Sequence, residues 1–406
     1  MIEEYFYVNR ELELEISKYM DRKEIIAVLG ARQCGKTTML NKITSKLKNV
    51  NSITFEDVKT LELFKNDIDS FIEIHVKGFD FLYIDEIQYA KESGKNLKYI
   101  YDTHKIKIFI TGSSAAEISI QSLKYLVGRI LIFELYSFSF GEFLEAKDSK
   151  LYNLYNSGEY KDEIREELNK YLEEYLTYGG YPAVIFSKNK EEKIVTLKNI
   201  YNTFLLKEIR EILQLSENDK LIYLMESLSL QIGNLLNYNE LSNISKTNFG
   251  QLNQYFKILE ETFICKRLRP FYNNKRTELV NVQKIYFYDL GFRNICVNNF
   301  NINGSDKGQL YENFVFSELI KINKNLKYWR SQNGAEVDFI INDKIPLEVK
   351  STLIDNRLEK SLFSFVEKYK PKNGFILSKN FEGKKKIENT NIKFLPFVKL
   401  NQIDFQ

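Results

Sequence analysis

The stretch Gly30-Ala31-Arg32-Gln33-Cys34-Gly35-Lys36-Thr37 directly follows the apolar run Ile25-Ile26-Ala27-Val28-Leu29. A strand that ends in a glycine, crosses a short loop to a second glycine and then meets Lys, a hydroxyl and a helical pattern has few ways to fold. It is a Walker A pattern in the context that the motif requires. Such a loop points backbone N–H groups at phosphate from the start of a helix, where the aligned peptide dipoles also favour an anion. The residues expected at the nucleotide are Gly30, Arg32, Gln33, Cys34, Gly35, Lys36, Thr37 and Thr38, with Lys36 against the β- and γ-phosphates and the Thr37 hydroxyl on Mg²⁺. The expected ligands are therefore ATP and Mg²⁺; the bland alternative is a glycine turn in a strand–helix unit.

The run Phe81-Leu82-Tyr83-Ile84-Asp85-Glu86 has the form of a second buried strand, one that delivers two acids to the end of a sheet. Asp85 is expected on Mg²⁺, and Glu86, one residue on, polarises the attacking water. For Glu86 a helix N-cap is the competing role. A third apolar run, Lys107-Ile108-Phe109-Ile110-Thr111-Gly112, leads to Ser113-Ser114. Ser113 is either a sensor of the γ-phosphate or part of a serine-rich turn.

The segments GARQCGKTTML, FLYIDEIQYA, FITGSSAAEI, LVGRILIFELYSFSFGEFL and YLTYGGYPAVI stand in the order seen in a prokaryotic AAA+ ATPase family whose members carry a C-terminal domain of unknown function, and the chain resembles that family over nearly its whole length. The resemblance implies an AAA+ core, a helical lid, a winged-helix segment and a nuclease-like C-terminal domain. Related motors often place a sensor arginine at the start of the lid, where this chain has Gly179-Gly180-Tyr181-Pro182. Arg129, before the run Ile130-Leu131-Ile132-Phe133, sits where AAA+ motors often place an arginine finger for the neighbouring subunit. Two roles stand for it: that finger, which requires an oligomer, or a surface ion pair.

A chain of 406 residues exceeds what one hydrophobic core usually organises. Short β-rich runs alternating with helical segments give an α/β P-loop core over residues 1–142. Helical periodicity takes over in 143–214, the expected lid, where Ile164, Leu168, Tyr171, Leu172 and Tyr175 recur at three- and four-residue steps. Residues 215–300 read as a winged helix, with a short helix from Tyr238, a turn at Ile244-Ser245-Lys246-Thr247, a recognition helix from Phe249 to Leu259 and a strand and wing after Phe263. Between Lys266 and Arg276 stand five basic residues (Lys266, Arg267, Arg269, Lys275, Arg276) and no acid, which suits DNA phosphates. The same module also serves as a protein-docking surface.

Residues 301–406 carry a second chemical pattern. Glu312 lies on a helical run, Asp338 on the strand Glu336–Ile341, and Glu348 and Lys350 on the next strand. Strand side chains alternate, so Glu348 and Lys350 share a face that Asp338 joins across the hairpin. This is the PD-(D/E)XK pattern: Asp338 and Glu348 would hold Mg²⁺, Glu312 would support the metal shell, and Lys350 would activate water. A set of surface ion pairs is the alternative.

Only His75 and His104 are present, too few for histidine-based catalysis, and His75 reads as packing within an apolar run. Cys34, Cys265 and Cys296 lack metal-ligand spacing, and a disulfide at Cys34 would obstruct the phosphate loop, so a cytoplasmic protein is expected. No leader pattern or spanning apolar run suggests a membrane. A net charge of +3 is too mild to name a polyanionic partner by itself. The combined expectation is an α/β protein with an AAA+ P-loop NTPase core, a helical lid, a winged helix and a C-terminal PD-(D/E)XK restriction-endonuclease-like domain. It would hydrolyse ATP, bind DNA, self-associate into a ring or other homo-oligomer, and couple turnover to DNA cleavage. The alternative is a nucleotide-controlled switch, or a motor that remodels DNA without cutting it, with the C-terminal domain as an interaction module.

Overall fold

The computed structural model describes residues 7–90, 93–113, 124–213 and 219–405. They divide into two compact units. The first takes in the chain up to Ser137, with residues 207–213 and Lys257–Phe263; the second takes in Phe138–Leu206, 219–256 and the chain from Ile264 onward.

The first unit is built on five strands, β1 (Ile25–Gly30), β2 (Val50–Thr54), β3 (Phe81–Asp85), β4 (Lys107–Ser113) and β5 (Ile130–Glu134). Their order is β2-β3-β4-β1-β5 and every pairing is parallel. All six residues of β1 are buried, as expected of a strand covered on both faces. Alternation sorts its side chains into two layers. Ile25 and Ala27 join Ile84, Ile108, Ile110 and Phe71 on one face, while Ile26 and Val28 join Tyr83, Phe109, Met39 and Leu40 on the other. Helices Lys36–Thr44, Val58–Asn66, Ile68–His75 and Ser93–Thr103 supply much of the cover. Asp57 and Asp67 cap two of them, accepting from Thr60 N and Ser70 N. His75 has the packing role read from its surroundings, its ring centroid 4.9 Å from that of Phe71. The strand order sets β4 between β1 and β3, the two strands that carry the phosphate-site motifs, so a polar side chain at its end can reach both.

In the second unit, β6 (Cys265–Leu268) and β7 (Lys284–Phe287) form an antiparallel pair. A six-stranded mixed sheet follows, of β8 (Leu326–Arg330), β9 (Glu336–Ile341), β10 (Ile345–Val349), β11 (Asn373–Ser378), β12 (Gly383–Ile387) and β13 (Thr390–Pro396), in the order β12-β13-β11-β10-β9-β8. The hairpin β9–β10, the parallel neighbour β11 and the helix Lys307–Lys321 lie where the sequence pattern puts them.

Within this unit the segments expected as lid, winged helix and C-terminal domain touch one another, while the C-terminal sheet keeps a core of its own around Trp329, Val337, Ile340, Phe365 and Phe394. The Phe140 and Tyr175 rings each lie 6.0 Å from Phe314, and Glu318 accepts from Phe140 N at 3.0 Å. Asn294 donates to Leu176 O and Thr177 O, and Asp289 accepts from Gly180 N at 2.8 Å. The helix Asp162–Tyr178 thus spends its aromatic face on Lys307–Lys321 and its C-terminal carbonyls on Asn294. The expected wing differs as well. Between β6 and β7 the chain forms the helix Lys275–Val280, and Arg269–Phe271 runs on to the sheet edge, with Phe271 N donating to Tyr328 O at 2.6 Å and Tyr328 N to Arg269 O at 3.1 Å. Among the described residues, no helix is long and apolar enough to cross a membrane.

Candidate functional site

The loop between β1 and the helix Lys36–Thr44 takes its shape from two backbone requirements. Gly35 has φ +95°, a conformation open to glycine at little cost, and Gln33 also lies in the left-handed region at +59°. At Gly30 a Cβ would come within 2.0 Å of Leu135 O, so only glycine lets the strand end pass the backbone that follows β5. The Lys36 side chain, 5% exposed, donates to Gly30 O at 2.9 Å and Ala31 O at 2.8 Å. Its ammonium is thus held inside the loop. Arg10, which the sequence reading missed, clamps this loop from outside: its guanidinium donates to Cys34 O and Tyr136 O, each at 2.7 Å. The Cys34 thiol is buried and donates to Leu135 O at 3.3 Å.

Asp85 is the focus of the site. The Thr37 hydroxyl stands 3.1 Å from both of its oxygens, the Tyr83 hydroxyl donates to Oδ1 at 3.0 Å, and the Thr111 hydroxyl donates to the same oxygen. Burial, reinforced by the Asp85 charge, pushes the Tyr83 phenol well above its ordinary range, so it remains a donor. Thr111 also accepts from Glu86 N at 3.2 Å. Glu86 itself has φ +56° and receives the side-chain amide of Gln88. Its turn is followed by a short 3₁₀ segment, Ile87–Tyr89, with Glu86 at the N-cap position but without a side-chain cap bond.

The polar group of β4 that meets Asp85 is Thr111; the Ser113 hydroxyl is buried with no hydrogen-bond partner among the described residues, and its backbone N donates to Gln88 Oε1 at 3.1 Å. Ser114 lies outside the described residues. Arg129 forms a two-point pair with Asp102, Nε to Oδ1 at 2.8 Å and Nη2 to Oδ2 at 3.2 Å, the geometry of the surface ion-pair role. Thr38 and Arg32 are exposed at the loop. The donor set suits a magnesium nucleotide: a lysine ammonium in a glycine-shaped loop, and a hydroxyl and a carboxylate already in contact.

In the second unit the acids read from the sequence meet a lysine of β7. Glu312 Oε1 accepts from Lys284 Nζ at 3.1 Å and from the Tyr286 hydroxyl at 2.5 Å, and Lys284 also lies 2.5 Å from Glu336. Lys284, on β7 and 2% exposed, is therefore a built-in cation among these carboxylates. These two carboxylates hold its ammonium in the charged form against the cost of burial. Asp338 accepts from Val349 N at 2.7 Å; burial and the nearby Glu312 and Glu348 charges push its carboxyl well up. Glu348 accepts from Ser361 at 2.8 Å, while its other oxygen is buried without a hydrogen-bond partner, and desolvation raises the carboxyl to about 7. Lys350 lies 3.8 Å from Glu348 but 2.8 Å from Glu359. Asp338, Glu348 and Lys350 are thus brought together, and Glu312, near enough for its charge to act on Asp338, is paired with Lys284. Among the described residues, no three His, Cys, Asp or Glu side chains are placed to hold one metal ion.

Of the five basic residues between 266 and 276, two are engaged. Arg267 stacks 4.7 Å over the Phe256 ring and donates to Asn253, and Lys275 pairs with Asp343 at 3.1 Å. Lys266, Arg269 and Arg276 form no ion pair among the described residues.

Residues 22–144 match the family model of the AAA domain. Residues 169–302 and 307–400 match two further models, each described as a domain of unknown function, DUF8612 and DUF4143. The chain is 26% identical to uncharacterized protein MJ1544 of Methanocaldococcus jannaschii, over 96% of this chain and 85% of that one. It is 24% identical to an uncharacterized protein of Haemophilus influenzae, over 82% and 83% of the two chains. A solved structure, the Walker-type ATPase paby2304 of Pyrococcus abyssi, is similar at a TM-score of 0.49 and 14% identity, covering 71% of this chain and 96% of the other.

Proposed function

We propose that this chain is an ATP-hydrolysing AAA-type protein that acts on DNA. The observation that carries the hydrolytic part is the convergence of Thr37, Tyr83 and Thr111 on Asp85, with Glu86 the next residue, in a segment that matches the AAA domain. Lys36 would meet the β- and γ-phosphates, Thr37 and Asp85 would hold Mg²⁺, and Glu86 would accept a proton from the attacking water. When bound, Mg²⁺ and ATP supply the phosphoryl group and part of its charge neutralisation. The protein's share is position: loop N–H groups, one ammonium and a carboxylate fixed by three hydroxyls.

DNA is the partner favoured by Lys266, Arg269 and Arg276, three charges not spent on protein carboxylates. Metal-dependent cleavage would fall to Asp338, Glu348 and Lys350, beside a Glu312 paired with Lys284 and Tyr286. The second unit then reads as the part that meets DNA, with a motor that remodels DNA without cutting it as the alternative. Buried thiols without disulfides at Cys34, Cys265 and Cys296 fit a reducing cytoplasm.

ATP turnover measured with and without duplex DNA, at about 50 and 200 mM salt, tests both halves. Stimulation by DNA that fades with salt, is absent in K36A and is lost in K266A/R269A/R276A is the expected result. Turnover indifferent to DNA would replace this proposal with a nucleotide-controlled switch acting on protein partners.

A further inference from the structure

Glu86 is held by a side chain to which neither the sequence pattern nor the matched families assign a role. Gln88 lies two residues on, in the 3₁₀ segment Ile87–Tyr89, and both ends of its amide are engaged. Nε2 donates to the Glu86 carboxylate, and Oε1 accepts from Ser113 N, the last residue of β4, at 3.1 Å. The close approach of this turn to β4 depends on Gly112: a Cβ there would lie 3.2 Å from Ile87 Cγ2 and 3.4 Å from Gln88 Oε1.

The chemistry of an amide suits this place. Glu86 sits in a left-handed backbone conformation that a glutamate adopts at a cost, so its carboxylate direction needs fixing from outside the turn. A lysine or arginine would fix it but would also neutralise it, weakening it as a proton acceptor. A glutamate would repel it. A glutamine gives one directed hydrogen bond without net charge, and its own orientation is set by the backbone N–H at the end of β4.

We propose that Gln88 is the positioning residue for Glu86, orienting the carboxylate that receives the water proton and tying it to the end of β4. This rests on the ATPase proposal above. Loss of the amide then slows hydrolysis while leaving nucleotide binding in place, because among the described residues the Gln88 amide hydrogen-bonds to Glu86 and Ser113 N and not to the phosphate loop or Asp85.

The test is single-turnover ATP hydrolysis together with equilibrium binding of a fluorescent ATP analogue, in the wild-type chain, K36A, E86Q, Q88L, Q88E and the double variant E86Q/Q88L. Q88L should hydrolyse about tenfold more slowly and Q88E more slowly still, with affinity within about twofold of wild type, the size expected for one hydrogen bond to a charged group. The double variant should be no slower than E86Q alone, since Gln88 acts through Glu86. If Q88L loses its cooperative thermal transition, Q88N, which keeps the amide but is one methylene short, carries the same expectation. Wild-type or faster hydrolysis in Q88L and Q88E would overturn the proposal, as would an equal further loss in the E86Q background or a fall in affinity matching the fall in rate. A wild-type chain with no hydrolysis removable by K36A would overturn the ATPase proposal itself. Normal Q88L beside an inactive E86Q would remove Gln88 alone.

Discussion

Replacing Thr111 by Val isolates the contribution of β4 to the phosphate site. Valine nearly matches threonine in volume, and Thr111 is fully buried, so T111V opens no appreciable cavity. It deletes one hydrogen bond to the Asp85 carboxylate and one acceptor for Glu86 N–H. A hydrogen bond to a charged group is worth about 1.5–3 kcal/mol, and Asp85 keeps its bonds from Thr37 and Tyr83, so the site should be displaced rather than abolished. If that loss falls on the transition state, kcat drops by roughly 10- to 150-fold, at about 1.4 kcal/mol per tenfold. KM for ATP should move little, because the phosphate loop is untouched. Steady-state phosphate release across an ATP titration separates the two, with a thermal melt confirming the fold. A T111V kcat within about threefold of wild type would mean that Thr111 does not hold the Asp85–Glu86 geometry.

Arg10→Ala should destabilise the first unit by roughly 2–3 kcal/mol in urea denaturation and weaken ATP binding, because it strips two buried carbonyls, one of them in the phosphate loop, of a charged donor. Lys284→Ala should destabilise the second unit by roughly 3–5 kcal/mol, since it leaves Glu312 and Glu336 facing one another without their cation; the double variant K284A/E312Q should recover part of that loss. Glu348 gives a pH signature. Its folded value of about 7 lies above the ordinary 4.5, so the folded state holds a proton that the unfolded state releases, and stability falls as pH rises from 4.5 through 7, by roughly 3 kcal/mol in total at about 1.4 kcal/mol per pH step. E348Q should flatten that dependence in melts taken across the range. Arg129→Ala should leave kcat within about twofold if the Asp102 pair is its whole role; a loss of tenfold or more would restore the arginine finger and with it an oligomeric enzyme.

The parts of the molecule legible in the sequence are those whose chemistry is local. The phosphate loop, the Asp85-Glu86 strand end and the β9–β10 hairpin each depend on residues within a dozen positions of one another, and strand alternation alone places Asp338 and Glu348 on one face. Thr111 is invisible in the same way that any threonine inside an apolar strand is: only the order β3-β4-β1 turns it toward Asp85. A signal was nonetheless present, as Thr111 is a hydroxyl that directly follows the apolar residues Ile108, Phe109 and Ile110 near the end of its strand. Lys284 offered a comparable hint, a lysine opening the strand Lys284-Ile285-Tyr286-Phe287, but its partners lie 28 and 52 positions further along the chain at Glu312 and Glu336. Arg10 precedes the first strand altogether and has no local pattern. The separate lid, winged helix and C-terminal domain were inferred from changes in periodicity. Periodicity reports which face of a helix is apolar, not which segment covers it, and Phe140 and Tyr175 are covered by Phe314.

The most direct test of the central claim is Mg²⁺-dependent phosphate release by the wild-type chain beside E86Q, with ATP affinity measured on both. Thr37, Asp85 and Lys36 predict that both bind ATP equally well while E86Q releases phosphate at least about 100-fold more slowly, the scale of a lost general base. Turnover in E86Q within about twofold of wild type, or a wild-type chain that binds ATP and releases no phosphate, would contradict it.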